Sequence, residues 1–97
     1  MTEGSPPVLT RGVTIANKRG LHARAAAKFV TLAERFGASV EVVREGEPPV
    51  SARSIMGLMM LGAGKGCALE LRAEGWDAKE ALDALAELVE TGFDERD

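Results

Sequence analysis

The chain is expected to form an α+β domain. The expected fold is a two-layer open-faced sandwich of order β-α-β-β-α-β-α, with three helices on one face of a four-stranded antiparallel sheet. Three observations lead to this. Segments with alternating apolar residues and segments with apolar residues three and four apart succeed one another in that order. A chain of 97 residues supports only one hydrophobic core. Hydrophobic residues make up 45% of it and aromatic residues 4%, so that core must be largely aliphatic.

Residues 1–7 include Gly4, Ser5, Pro6 and Pro7 and contain nothing able to build a core. Leu9, Arg11, Val13 and Ile15 alternate with Thr10, Gly12 and Thr14, and with the β-branched content this predicts a first strand with one face buried. Lys18, Arg19 and Gly20 make a turn. Ala26, Phe29, Val30, Ala33 and Phe36 then form one apolar stripe, predicting a helix over 23–36 that stops at a left-handed Gly37. A second strand covers 39–44, with Val40 and Val42 on one side. Pro48 and Pro49 place the short strand 50–52 at a sheet edge.

Ser54 can cap a compact helix over 54–61 that ends in Gly62, Gly64 and Gly66. Residues 67–73 alternate Cys67, Leu69, Leu71 and Ala73 inward against Glu70 and Arg72 outward, a fourth strand. Asp77 and Glu80 have capping-box spacing, and Ala81, Leu82, Leu85, Leu88 and Val89 form the stripe of a last helix. Residues 91–97 are expected to fray. The domain is drawn over 8–93, with 1–7 and 94–97 as flexible termini. Trp76 is expected to cover a loop or a helix end.

Charge and composition exclude several functions. The 12 basic and 15 acidic residues leave a net charge of −3, which argues against a nucleic-acid partner or a polybasic membrane binder. Residues 1–36 hold six basic and two acidic residues, net +4, whereas residues 37–97 hold six basic and thirteen acidic, net −7. No apolar run is long enough to insert into a membrane, so a cytoplasmic protein is expected. One cysteine cannot form an internal disulfide, and neither a metal site nor a bound cofactor is expected. Gly62, Gly64 and Gly66 lack the Lys and Ser/Thr order of a nucleotide-binding loop.

The chemistry-bearing candidate is His22, the only histidine, at the start of the first helix. Histidine is a poor cap, and the backbone amides there lack helical partners in a region of positive potential. Such a site suits an anion beside the imidazole. Arg24 adds a planar set of donors that matches phosphate oxygens, and Gly20 lets the entering backbone come close. Together they can form a nucleophilic imidazole with a phosphate cradle. A plainer reading fits the same residues: a small interaction module in which His22 and Ser54 merely begin helices and the Met-rich helix binds one fixed partner.

Gly20-Leu21-His22-Ala23-Arg24, followed by Ala26, Ala27, Phe29 and Val30, resembles the active-site motif of the histidine-containing phosphocarrier proteins (HPr) of the bacterial phosphoenolpyruvate-dependent phosphotransferase system. The run from Ser54 through Ile55, Met56, Gly57, Leu58, Met59, Met60, Leu61 and Gly62, with Lys65-Gly66 beyond, resembles their regulatory-serine segment. The resemblance extends over about residues 11–89. It implies that His22 accepts a phosphoryl group on Nδ1 from enzyme I and donates it to a histidine of enzyme IIA, with Arg24 neutralising charge during transfer. The chain would then be a monomeric carrier taking part in phosphotransfer rather than an independent enzyme.

The resemblance also implies that HPr kinase/phosphorylase phosphorylates Ser54 as a brake on exchange. Ala27, Ile55, Met56 and Met59 would form an exposed apolar patch for successive partners, whereas Leu58 and Leu61 are core residues. Arg19, Lys28 and Lys65 read as solvated charges able to steer acidic partners. One departure stands out: Ala25 occupies the position where the family usually has proline. That should loosen the helix start slightly without removing a phosphate ligand. A nitrogen-branch or purely regulatory carrier without sugar transport fits the same motifs.

Overall fold

A computed structural model describes residues 7–95 of the chain. Strand β1 (Leu9–Thr14) pairs antiparallel with β4 (Ala68–Glu74), which pairs on its other side with β2 (Ser39–Val43). The two-residue β3 (Val50–Ser51) completes the antiparallel order β1-β4-β2-β3 at the edge that Pro48 and Pro49 suit, since proline has no N–H for a further strand. Val13 lies opposite Leu69, Val40 opposite Ala73 and Val42 opposite Leu71. All six are buried, so the register stacks the apolar alternation of three strands on one face. The expected α+β sandwich is the observed one. Only the strand ends differ: Leu9 is partly exposed, and Cys67 packs half-buried just before β4.

Helix α1 (Ala23–Ala33) covers that face with Ala25, Ala26, Phe29, Val30 and Ala33. It stops three residues before the end that its apolar spacing suggests. Arg35 and Phe36 donate to Leu32 and Ala33 at 3.1 and 3.2 Å, tightening the last turn. Gly37 is not left-handed. Instead its amide and that of Ala38 donate to the Asp77 carboxylate at 2.9 and 2.8 Å.

The same contact overturns the capping box. Asp77 stands at the start of α3 (Ala78–Glu90) but makes no capping bond there, because its carboxylate is committed to a turn 40 positions earlier. The indole of Trp76 lies against Gly37 at that turn but is almost wholly exposed, and Gly37 stays exposed beside it, so the expected cover is slight.

Ser54 does cap α2 (Ile55–Met60): its Oγ accepts from the Gly57 amide at 2.9 Å. Arg44 Nη1 closes the other end by donating to the carbonyls of Leu61 and Gly62 at 2.7 and 2.9 Å.

The end of the chain departs most from expectation. Residues 91–95 do not fray. Gly92–Asp94 form a 3-10 turn packed on α1 and α3, with the Phe93 ring 0% exposed. Gly92, Phe93 and Asp94 all have left-handed backbone, φ 67°, 57° and 60°. Lys28 Nζ donates to the Phe93 carbonyl at 2.7 Å, so this lysine ties the turn to α1 instead of standing free in solvent. The helical apolar periodicity ends at Val89, so that periodicity does not mark Phe93 as a core residue. Of the termini expected to be flexible, 1–6 and 96–97 lie outside the described residues, while Asp94 and Glu95 are placed by this turn.

Candidate functional site

The loop that delivers His22 is pinned before the helix begins. Gly20 N donates to the Asn17 carbonyl at 3.2 Å, and Asn17 Nδ2 returns a bond to the Gly20 carbonyl at 2.9 Å. Gly20 is left-handed at φ 65°, and a Cβ there would stand 2.4 Å from the Ala63 carbonyl oxygen. Only glycine meets both conditions. Leu21 N then donates to that oxygen at 2.9 Å while its side chain is buried. These bonds lock the 17–21 turn against the segment after α2.

His22 follows in an extended conformation, φ −74° and ψ 176°, as the residue preceding α1. Its carbonyl accepts from Ala26 N at 2.8 Å, which starts the helix. Its side chain makes no capping bond, so the first-turn amides are left for another acceptor. The imidazole is 16% exposed, partly sheltered and not sunk in the core. Its Nε2 pairs with Glu95 Oε2, and Glu95 Oε1 accepts from Asn17 Nδ2 at 2.8 Å. The Asn17 hydrogen bond chiefly holds the Glu95 carboxyl below its usual range, helped by the His22 bond and the charge of Arg19 and opposed by partial burial.

Arg24 is the second residue of α1, two positions after His22, and is exposed. Among the described residues no hydrogen bond or ion pair holds its guanidinium, and it is not bonded to the imidazole. It lines a groove of about 590 Å³ between α1 and α3, together with Ala27, Lys28, Thr31, Leu88 and Asp94.

The α2 helix packs beside α1. It exposes Ile55, Met56 and Met59, with Met56 at 71%, and buries Leu58 and Leu61 as expected. Met60, at 77%, extends this apolar surface beyond the residues expected in it. Half-buried Ala27, expected in this patch, lines the groove between α1 and α3 instead. Ala25 is wholly buried within the first helical turn.

Sequence reasoning missed Asn17, Glu95 and Phe93. The one available signal was Gly92-Phe93 after the last helix: a glycine followed by a large apolar residue often turns the chain back onto the helix it leaves. Among the described residues, no helix is long and apolar enough to cross a membrane, and no group of His, Cys, Asp and Glu could hold a metal ion.

Residues 9–91 match the family described as PTS-HPr, PTS HPr component phosphorylation site. The chain belongs to the PTS-HPr family. It is thus a member of the HPr/NPr phosphocarriers of the phosphotransferase system. It is 55% identical over 83 residues to the phosphocarrier protein HPr of Pseudomonas aeruginosa, covering 86% of this chain and 92% of that one. It is 51% identical over 87 residues to the phosphocarrier protein NPr of Shewanella violacea, covering 90% and 94%. A crystal structure of HPr from Thermoanaerobacter tengcongensis superposes with a TM-score of 0.85 at 43% identity, covering 91% of this chain and 98% of that one. An HPr dimer from the same organism superposes at 0.71 with 42% identity, covering 98% and 100%.

Proposed function

We propose that this PTS-HPr protein is a stoichiometric phosphoryl carrier whose acceptor atom is Nδ1 of His22. The observation that carries the reading is an imidazole that precedes α1, takes none of its free amides and engages a carboxylate through Nε2. Nδ1 attacks the phosphorus of enzyme I's phosphohistidine. The donor N–P bond breaks, and its electron pair returns to the donor ring. A histidine of enzyme IIA later takes the group from His22 in the same way. The first-turn amides receive the phosphoryl oxygens, and Arg24 swings from its groove to offset their charge, the electrostatic assistance such transfers need.

Ser54 is the regulatory site for HPr kinase/phosphorylase. A phosphate on its Oγ stands where the α2 dipole tolerates negative charge, so the fold survives while the adjoining Ile55, Met56 and Met59 surface becomes repellent to acidic partners. That surface docks enzyme I and enzyme IIA in turn; flexible thioethers suit a face that must fit several shapes. The carrier acts in the cytoplasm as a monomer. Sugar transport is the main reading. The similarity to an NPr, nearly equal to that with an HPr, favours a nitrogen-branch or purely regulatory carrier as the second.

The test is incubation with enzyme I and labelled phosphoenolpyruvate. An acid-labile, alkali-stable label that disappears in His22→Ala is expected, and absence of label in the wild type would overturn the reading. ATP and HPr kinase should give an acid-stable label that survives His22→Ala and is lost in Ser54→Ala. Failure of that second label removes only the regulatory claim.

A further inference from the structure

The carboxylate that meets the imidazole comes from 73 positions further along the chain, and it is held from several directions. Glu95 Oε1 is bonded by Asn17, a side chain only 2% exposed whose amide also spans the turn before His22. Glu95 N donates to the Gly92 carbonyl at 3.0 Å, and buried Phe93 and the Lys28 bond anchor the backbone between them. The Glu95 side chain is itself only 12% exposed. A surface ion pair between mobile side chains would have none of this support.

A carboxylate only accepts, so the ring nitrogen facing it carries the proton. The partner of one imidazole nitrogen therefore decides the state of the other. We infer that Glu95 is a positioning residue for phosphoryl transfer: its carboxylate, oriented by Asn17, keeps the proton on Nε2 of His22 and the attacking lone pair on Nδ1. This rests on the reading of His22 as the phosphoryl carrier.

The same proton serves both halves of the cycle. When Nδ1 bonds to phosphorus, the donor N–P bond breaks and its pair stays with the donor ring. The His22 ring keeps its Nε2 proton and gains positive character, which the Glu95 carboxylate balances across the hydrogen bond. When the phosphoryl group leaves, the N–P pair returns to Nδ1 and the neutral Nε2–H ring is restored. No proton has to enter or leave. The C-terminal turn thereby becomes part of the active site.

The experiment compares full-length wild type, Glu95→Ala and Glu95→Gln by ¹⁵N NMR of the imidazole and by the initial rate of labelling from enzyme I. The wild type should show a slowly exchanging Nε2–H resonance and an Nδ1 signal typical of a lone pair. Glu95→Ala should lose the protected resonance, mix the two tautomers, and transfer phosphoryl between about tenfold and a hundredfold more slowly, taking as a guide the range for loss of a group that orients a metal-ligating histidine. Glu95→Gln retains a neutral acceptor and should keep part of both signals. Backbone spectra of the two variants check that the fold persists.

An unchanged resonance and tautomer in Glu95→Ala overturns the inference, as does an unchanged rate. A faster rate also overturns it, since the carboxylate would then be competing with the incoming phosphoryl group. Because the NMR signals need no partner, they judge Glu95 separately from the carrier reading, which fails only if wild type takes no label.

Discussion

Replacing Phe93 by alanine removes a wholly buried ring from the turn that carries Glu95 to His22. Phenylalanine-to-alanine changes in cores cost about 3–5 kcal/mol, through lost burial and the cavity left behind. Gly92–Asp94 is a three-residue turn packed on the outside of α1 and α3, so it can undock instead of holding a cavity open. The lower end, about 3 kcal/mol, is therefore expected. For a domain of this size, with roughly 4–8 °C of Tm per kcal/mol, that is a fall of about 12–24 °C.

The backbone supplies an internal control. Phe93 has φ 57°, a left-handed conformation that costs a residue with a Cβ about 1 kcal/mol and glycine almost nothing. Phe93→Gly should consequently be no less stable than Phe93→Ala, the reverse of the usual order. Thermal melts by circular dichroism measure both. A fall below about 5 °C for Phe93→Ala, or a glycine variant clearly less stable than the alanine variant, would refute the reasoning.

Asp77→Ala should cost about 3 kcal/mol in urea denaturation, because it leaves two amides without their charged acceptor and one of them, on Ala38, is sealed from water. Ser54→Ala should lower stability by about 1 kcal/mol through loss of the bond from Gly57, whereas Ser54→Asp, which can also cap, should melt within about 2 °C of wild type. The lowered Glu95 carboxyl makes a signed pH prediction. Its stabilising contribution is complete above the ordinary pKa of 4.5 and is lost as pH falls through the lower folded-state value. The Tm gap between wild type and Glu95→Gln should therefore be level above that pH and close below it.

Local devices were legible from the sequence. Ser54 caps α2 because its partner is three positions away, and the alternation of Val40 with Val42 and Leu69 with Leu71 marks the buried sheet face because strand geometry repeats every second residue. His22 and Gly20 were legible for the same reason: one begins a helix, and the other makes the turn into it. The end of α1 was not legible. Its spacing continues to Phe36, but the amides beyond it are claimed by Asp77, and pattern alone cannot reveal a competitor 40 positions away.

Sequence alone determined the α+β order, the aliphatic core and the imidazole at the first helix start, since each depends on the intrinsic preferences of neighbouring residues. Tertiary structure decided which groups meet that imidazole. Asn17 and Glu95 come together only because Phe93 finds room against α1 and α3 and Lys28 holds its carbonyl. Those are long-range contacts, governed by the shape of the packed core rather than by any periodicity along the chain.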